Sequence, residues 1–75
     1  MSIENDETIY VRLLDEAVEV WRPVKAIMIS ESTYRLLDGQ SIPEDEEWEF
    51  HPGELVAVEP KSFDGASKKV AVKLL

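Results

Sequence analysis

The chain has 75 residues, 44% of them hydrophobic, and a formal net charge of -8 at pH 7. This apolar content is too high for a disordered chain, and the length predicts one small domain. The negative charge disfavours a partner recognised mainly through phosphate groups, and no apolar run approaches the roughly 18 to 20 residues of a membrane span. The absence of cysteine excludes disulfides and thiol nucleophiles and fits a reducing compartment. We therefore expect a cytoplasmic protein.

The N-terminal region predicts a tail followed by a first strand. Residues 1–7 are polar, acidic and without periodicity. They predict a flexible acidic tail ahead of a single domain over residues 8–75. Within residues 8–14, Ile9 and Val11 fall on one face of an extended chain, which predicts a β-strand.

The densest apolar pattern lies in residues 18–37. Up to Pro23 only one face of an extended chain is apolar, whereas beyond it both faces are. The pattern predicts a long strand that is covered on both sides in its second half. Pro23 has no N–H to donate to a neighbouring strand, so it marks a bend or an edge. Residues 30–33 supply turn chemistry, and residues 33–37 have the composition of a returning strand.

The middle of the chain predicts a loop and two further strands. Residues 38–47 contain a Gly, a Pro and four consecutive acids, which predicts a long irregular connection. The aromatic residues in 48–50 predict a short strand. Residues 55–59 predict a main strand with Val56 and Val58 facing inward.

The C-terminal region predicts a turn and a final strand. Residues 60–68 indicate a polar turn centred on Asp64 and Gly65, and residues 69–75 indicate a strand with one apolar face. That face consists of Val70, Val72 and Leu74. About five short strands separated by turn signals predict an all-β fold, and at this length a small, partly open five-stranded barrel.

The order of these features resembles SH3-like barrels, especially the Tudor-like branch. The likeness rests on Trp21, Tyr34 and the Asp38-Gly39 turn. More specifically, YVRLLDEAVEVWRPVKA together with EWEFHPGELV looks like a group of short, uncharacterised bacterial proteins. The resemblance implies a small five-stranded SH3-like barrel but no particular activity. Tudor-like domains often bind methylated lysine or arginine through an aromatic cage.

Five large aromatic side chains are candidates for a cage of this kind, because ring faces attract ammonium and guanidinium groups. We single out Trp21, Tyr34 and Trp48 as its members. The alternative is that some of the rings belong to the core while the others cover the ends of the barrel. The five rings are Tyr10, Trp21, Tyr34, Trp48 and Phe50.

The sequence shows no pattern typical of catalysis or of metal binding. The acids at residues 44–47 lack the spacing of a calcium loop, and His51 has no second histidine or cysteine with which to complete a metal site. No nucleophile motif and no Gly-rich phosphate loop is present. We therefore predict a non-enzymatic protein with no cofactor and no metal.

Our first functional prediction is an interaction module that docks a protein or peptide through an aromatic and acidic surface. Tryptophan and arginine are favoured anchors at interfaces, and the acidic loop offers charge to a partner. The candidate binding residues are Trp21, Arg22, Tyr34, Trp48, Phe50, Glu46 and Glu47.

Three alternatives follow from other features. Residual edge strands or the outward-facing Leu14, Leu37 and Leu75 would support a homodimer. A nucleic-acid-associated barrel would use the C-terminal lysines, although the net charge makes this the weaker hypothesis. A small-ligand-binding or regulatory subunit would require a concave pocket. The lysines are Lys61, Lys68, Lys69 and Lys73.

Overall fold

The computed structural model describes residues 6–75, which form five β-strands and no helix. The strands are β1 (Asp6–Arg12), β2 (Trp21–Ser30), β3 (Thr33–Leu36), β4 (Leu55–Phe63) and β5 (Ala66–Leu74). They close into a barrel in chain order. Neighbours are antiparallel except β1 and β5, whose parallel seam has the single register pair Tyr10 and Val70. The predicted all-β, five-stranded SH3-like barrel is therefore confirmed, but the barrel is closed and not partly open as expected.

The core is formed by the inward faces of the strands and by two rings from the segment between β3 and β4. On β1, Ile9 and Val11 are fully buried, whereas Tyr10 between them is half-buried and faces outward. Trp48 and Phe50 join the same core from outside the named strands. The buried set is Ile9, Val11, Leu13, Val24, Ala26, Tyr34, Leu36, Trp48, Phe50, Val56, Val58, Val70 and Ala71.

Pro23 marks an unpaired edge of β2 and does not interrupt the ladder with β1. The Leu13 amide donates to the Val20 carbonyl over 2.8 Å. Because hydrogen-bonded pairs alternate along an antiparallel ladder, Val24 also faces β1 and Pro23 faces the other side. On that other side of β2, β3 pairs with it only from Ala26 onward. The missing N–H of proline therefore leaves no ladder bond unmade.

The second half of β2 is not covered on both sides, so that prediction is wrong. The register with β3 shifts between Met28 and Ser30. This shift indicates a bulge, and Met28 and Ile29 are both exposed beside it. Val18 is 72% exposed and lies before β2 begins. The apolar run in the sequence is therefore longer than the part of the strand that enters the core.

β4 and β5 form a long hairpin with a two-residue turn. Asp64 has a φ of 50° and Gly65 a φ of 86°, and Pro60 is paired with Lys69 inside the ladder. Two successive positive φ values are typical of a type I′ turn, whose twist matches that of the flanking strands. The predicted turn over residues 60–68 was therefore too long, and most of it belongs to the strands.

β5 does not have the predicted single apolar face. Val58 pairs with Ala71, whereas Ala57 pairs with Lys73, so Val72 has no direct partner in the ladder. Ala71, opposite the inward Val58, belongs to the hydrophobic core cluster, whereas Val70 is buried opposite Glu59 and beside Tyr10 in the β1–β5 seam. Val72 and Leu74 are exposed. Of the predicted inward face of Val70, Val72 and Leu74, only Val70 is buried, and the residue of β5 that joins the core cluster is Ala71.

Two smaller boundaries also differ from expectation. β1 begins at Asp6, so the last two residues of the predicted tail belong to the barrel, and residues 1–5 lie outside the described residues. Residues 48–50 are not a strand, since Trp48 makes only an isolated antiparallel bridge with Leu13. The segment is nevertheless held against the end of β1.

The turn yields a stability prediction. Gly65→Ala should lower the free energy of unfolding by about 1–2 kcal/mol. A residue with a Cβ is destabilised by this amount in the left-handed region, because its Cβ comes too close to the following carbonyl oxygen. No atom lies within 4 Å of the Cβ position, so the effect would be conformational and not steric. Asp64→Asn is the matched control, since Asn tolerates positive φ. Urea unfolding followed by circular dichroism measures both, and equal stability of the two variants would contradict the assignment.

Candidate binding surface

The predicted aromatic cage is not present. Tyr34, Trp48 and Phe50 are 0%, 3% and 6% exposed, so their rings are core residues. Tyr34 lies on the inward face of β3 with Leu36, and the other two belong to the same hydrophobic cluster. The cage formed by Trp21, Tyr34 and Trp48 was therefore wrong, and of these three only the half-buried Trp21 is left near the surface.

Three of the predicted binding residues do meet, but they bind one another. The guanidinium group of Arg22 donates two hydrogen bonds to the carboxylate of Glu46, one of them from Nε to Oε1 over 3.0 Å. The indole Nε1 of Trp48 donates to the same Oε1 over 3.1 Å. The side chain of Glu46 is only 11% exposed. We call this group the Glu46 clamp, and it fixes the acidic loop to β2.

Neighbouring acids in the loop have opposite electrostatic environments. The hydrogen bonds from Arg22, supported by that from Trp48, hold the pKa of Glu46 below its usual range. A hydrogen bond to Asp15 and repulsion between the two carboxylates raise the pKa of Glu47. The backbone carbonyl of Glu47 accepts from the Leu14 amide over 2.7 Å, which keeps these two acids together.

These environments yield a prediction of opposite sign for adjacent residues. Stability from Glu46 is present at neutral pH and is lost as the pH falls through its lowered pKa, so Glu46→Gln should destabilise the fold at neutral pH. Glu47 favours the fold while protonated and opposes it as the pH rises through its raised pKa, so Glu47→Gln should stabilise the fold at neutral pH.

Thermal unfolding of both variants and the wild type at neutral pH and below about pH 4 measures these effects. Each difference from the wild type should shrink on acidification, because the protonated acids then resemble the amides. Each variant serves as the control for the other. A stabilising Glu46→Gln, or a destabilising Glu47→Gln, at neutral pH would contradict the assignment.

A different aromatic group lies on the outer face of the barrel. The ring centroids of Tyr10 and Phe63 are 5.9 Å apart, and those of Trp21 and Phe63 are also 5.9 Å apart, with Trp21 meeting Phe63 edge to face. All three side chains are half-buried. We call Tyr10, Trp21 and Phe63 the aromatic cluster. It joins β1 and β2 to the tip of the β4–β5 hairpin.

Phe63 was missed because the sequence placed it in a turn. The signal that would have identified it is the Asp64-Gly65 pair, which is typical of a two-residue hairpin and leaves Phe63 as the last residue of a strand. In that strand Val56 and Val58 face inward, so Phe63 has the outward parity.

Two lysines lie over the rings of the aromatic cluster. The Nζ of Lys61 is 5.8 Å from the Trp21 ring and 5.9 Å from the Phe63 ring, and that of Lys68 is 5.7 Å from the Tyr10 ring. Lys61 also lies 3.7 Å from the carboxylate of Glu19. Distances of this size are within the range of cation–π attraction.

A groove of about 400 Å³ runs beside the aromatic cluster. Its lining combines the rings of Tyr10, Trp21 and Phe63 with the side chains of Glu19, Val20 and Lys68. The indole Nε1 of Trp21 is shielded from water and has no hydrogen-bond acceptor among residues 6–75. A shielded donor without an acceptor is energetically unfavourable, so this nitrogen would gain from a new acceptor.

The other two C-terminal lysines lie elsewhere. Lys69 donates to the Tyr34 hydroxyl over 2.6 Å and to Glu7 over 3.0 Å, and these bonds raise the pKa of Lys69. Hydrogen bonds from Lys69 and Tyr34 lower the pKa of Glu7. Lys73 is opposite Ala57 in the β4–β5 ladder. The structure thus divides the four predicted lysines, and only Lys61 and Lys68 accompany the aromatic cluster.

The leucines proposed for a homodimer do not share one environment. Leu14 and Leu75 are exposed, whereas Leu37 is half-buried. Dimerisation through them stays a prediction.

Residues 6–75 contain no group of three or more acidic or histidine side chains placed to hold a metal ion. Over the same residues there is also no helix of the length and apolar character needed to cross a membrane. No protein-family model, curated protein or solved structure matches the chain. We therefore infer the function from the geometry of the described residues.

Proposed function

We propose that the protein is an interaction module that docks a peptide segment of a partner protein in the groove beside the aromatic cluster. The observation that supports this function is the presence of three rings on the outer face of a small barrel, with Phe63 packed against both Tyr10 and Trp21. The rings of Tyr10, Trp21 and Phe63 face outward and do not belong to the hydrophobic core cluster, so the core does not account for them.

The dimensions and chemistry of the groove suit a short segment of chain. A volume of about 400 Å³ accommodates a few side chains and lies at the lower end of the usual range for binding pockets. Aromatic rings are effective anchors at protein interfaces, because they bury a large area at a small cost in conformational entropy. The rings here are braced against each other, so little of their freedom would be lost on binding.

This proposal keeps the function expected from the sequence but moves the surface. Trp21 is retained, while Tyr34, Trp48 and Phe50 are core residues. Arg22 and Glu46 act through the Glu46 clamp, which orders the acidic loop. The carboxylate of Glu46 is enclosed by this clamp, and Nε and Nη2 of Arg22 are engaged in it.

Selection from a displayed library of random peptides tests the proposal. We expect the selected peptides to bind the purified wild type and to lose at least about tenfold in affinity with Phe63→Ala, a loss typical of removing an interface anchor. Ile29→Ala is the matched control, since it truncates an exposed apolar side chain outside the groove. Circular dichroism verifies that each variant retains the fold.

Fluorescence supplies a second, independent readout. In a Trp48→Phe background Trp21 is the single tryptophan, so a peptide in the groove should change its emission. Selected peptides that leave this emission unchanged and bind Phe63→Ala as tightly as the wild type would contradict the proposal. A library that yields no specific binder would also count against it.

A further inference from the structure

On the basis of the proposed function, we propose that the groove selects an acidic peptide. In this peptide an aspartate or glutamate is adjacent to an aromatic or apolar residue. The apolar side chain contacts the aromatic cluster, while the carboxylate pairs with Lys68 and Lys61. The preference is for acidic segments even though the protein itself is acidic, with a formal net charge of -8.

The first observation is a like-charge pair at the edge of the groove. Lys61 and Lys68 are directly opposite each other in the β4–β5 ladder. Like charges in this position oppose pairing of the strands, so an anion placed between them would relieve repulsion as well as gain attraction. Lys68 forms no ion pair with any residue of the described part of the chain. Its ammonium group is therefore available to a ligand.

The second observation is the indole nitrogen of Trp21. It has no acceptor within residues 6–75 and is shielded from water. The Nζ of Lys61 lies over the same indole, 5.8 Å from the ring centroid. Because the indole N–H can only donate, a carboxylate bound beside Lys61 would supply the acceptor that Trp21 lacks among the described residues.

The third observation is a carboxylate already present in the groove. Glu19 lines the groove and lies 3.7 Å from Nζ of Lys61. It occupies one of the positions that we assign to the carboxylate of the partner, so it acts as an internal competitor. Removing its charge should strengthen binding of an acidic peptide, whereas a purely structural ion pair would give no such gain.

The distribution of charge favours a peptide over a nucleic acid. Proteins that bind a phosphate backbone place several basic groups along it, whereas here only Lys68 lines the groove and only Lys61 lies beside it over the rings. Lys69 is already hydrogen-bonded to Glu7 and Tyr34. Glu19 would lie against a phosphate chain, and the net charge of -8 repels a long polyanion at a distance. A short segment with one or two carboxylates needs fewer basic groups and is repelled less by Glu19 and by the net charge.

The experiment uses the peptides selected on the wild type. We expect them to be enriched in aspartate or glutamate adjacent to an aromatic or apolar residue. Replacing each such acid by its amide should weaken binding about two- to fivefold, the range for an exposed ion pair. The loss should be largest at low salt, because added salt screens the attraction.

Variants of the protein locate the effect. In the Lys61→Gln, Lys68→Gln double variant the acidic and amide peptides should bind equally, whereas Lys73→Gln removes one charge outside the groove and should leave the preference intact. Glu19→Gln should increase affinity for the acidic peptide by about two- to fivefold. Binding of oligothymidylate to the wild type and to the double variant is measured in parallel.

The outcomes separate this inference from the proposed function. Peptides that depend on Phe63 but show no enrichment in acids, or that bind the double variant with the same preference, would overturn the acidic selectivity while leaving the docking module in place. Selected peptides that bind independently of the aromatic cluster would overturn both. Oligothymidylate that binds more tightly than the acidic peptides, and is lost in the double variant, would replace the peptide by a nucleic acid.

Discussion

Closure of a very small barrel is the constraint on which the rest of the structure depends. Five strands give one inward face each, so the core is a single layer of side chains, and it is completed only when Trp48 and Phe50 enter from the segment between β3 and β4. The seam between β1 and β5 has one register pair. The closed barrel therefore needs contacts outside its ladders, and both the acidic loop and the β4–β5 hairpin provide them.

The acidic loop shows how a chain with an excess of carboxylates keeps an ordered connection. Glu46 points toward Arg22 and the indole of Trp48, which neutralise and enclose it, and the ring of Trp48 is at the same time part of the core. The next residue, Glu47, meets Asp15 instead. One carboxylate thus ties the loop to the barrel while its neighbour works against that attachment. Acidification therefore weakens the contact of Glu46 and relieves the repulsion between Glu47 and Asp15.

The unequal lengths of the strands bring aromatic rings and lysines together on the outer face of the barrel. β3 has four residues, whereas β4 and β5 have nine each, so the hairpin continues past the end of β3 and its tip contacts β1 and β2. This places Phe63 between Tyr10 and Trp21 and brings Lys61 and Lys68 to the same surface. A groove that is both aromatic and basic results on a protein that is acidic as a whole. The local charge of this surface therefore differs from the net charge of the chain.

The sequence by itself determined the all-β class, the number of strands and the inward positions of Ile9, Val56 and Val58, because alternation and turn chemistry are local properties. The sequence could not distinguish core rings from surface rings. Tyr34 and Trp21 both lie in strands, and they differ only in whether the side chain is on the inward or the outward face. Bulges were equally invisible, and one of them leaves Val72 without a direct partner in the β4–β5 ladder. The aromatic cluster and its lysines arise from strands far apart in the chain, so only the tertiary structure, through closure of the barrel, decided that they meet.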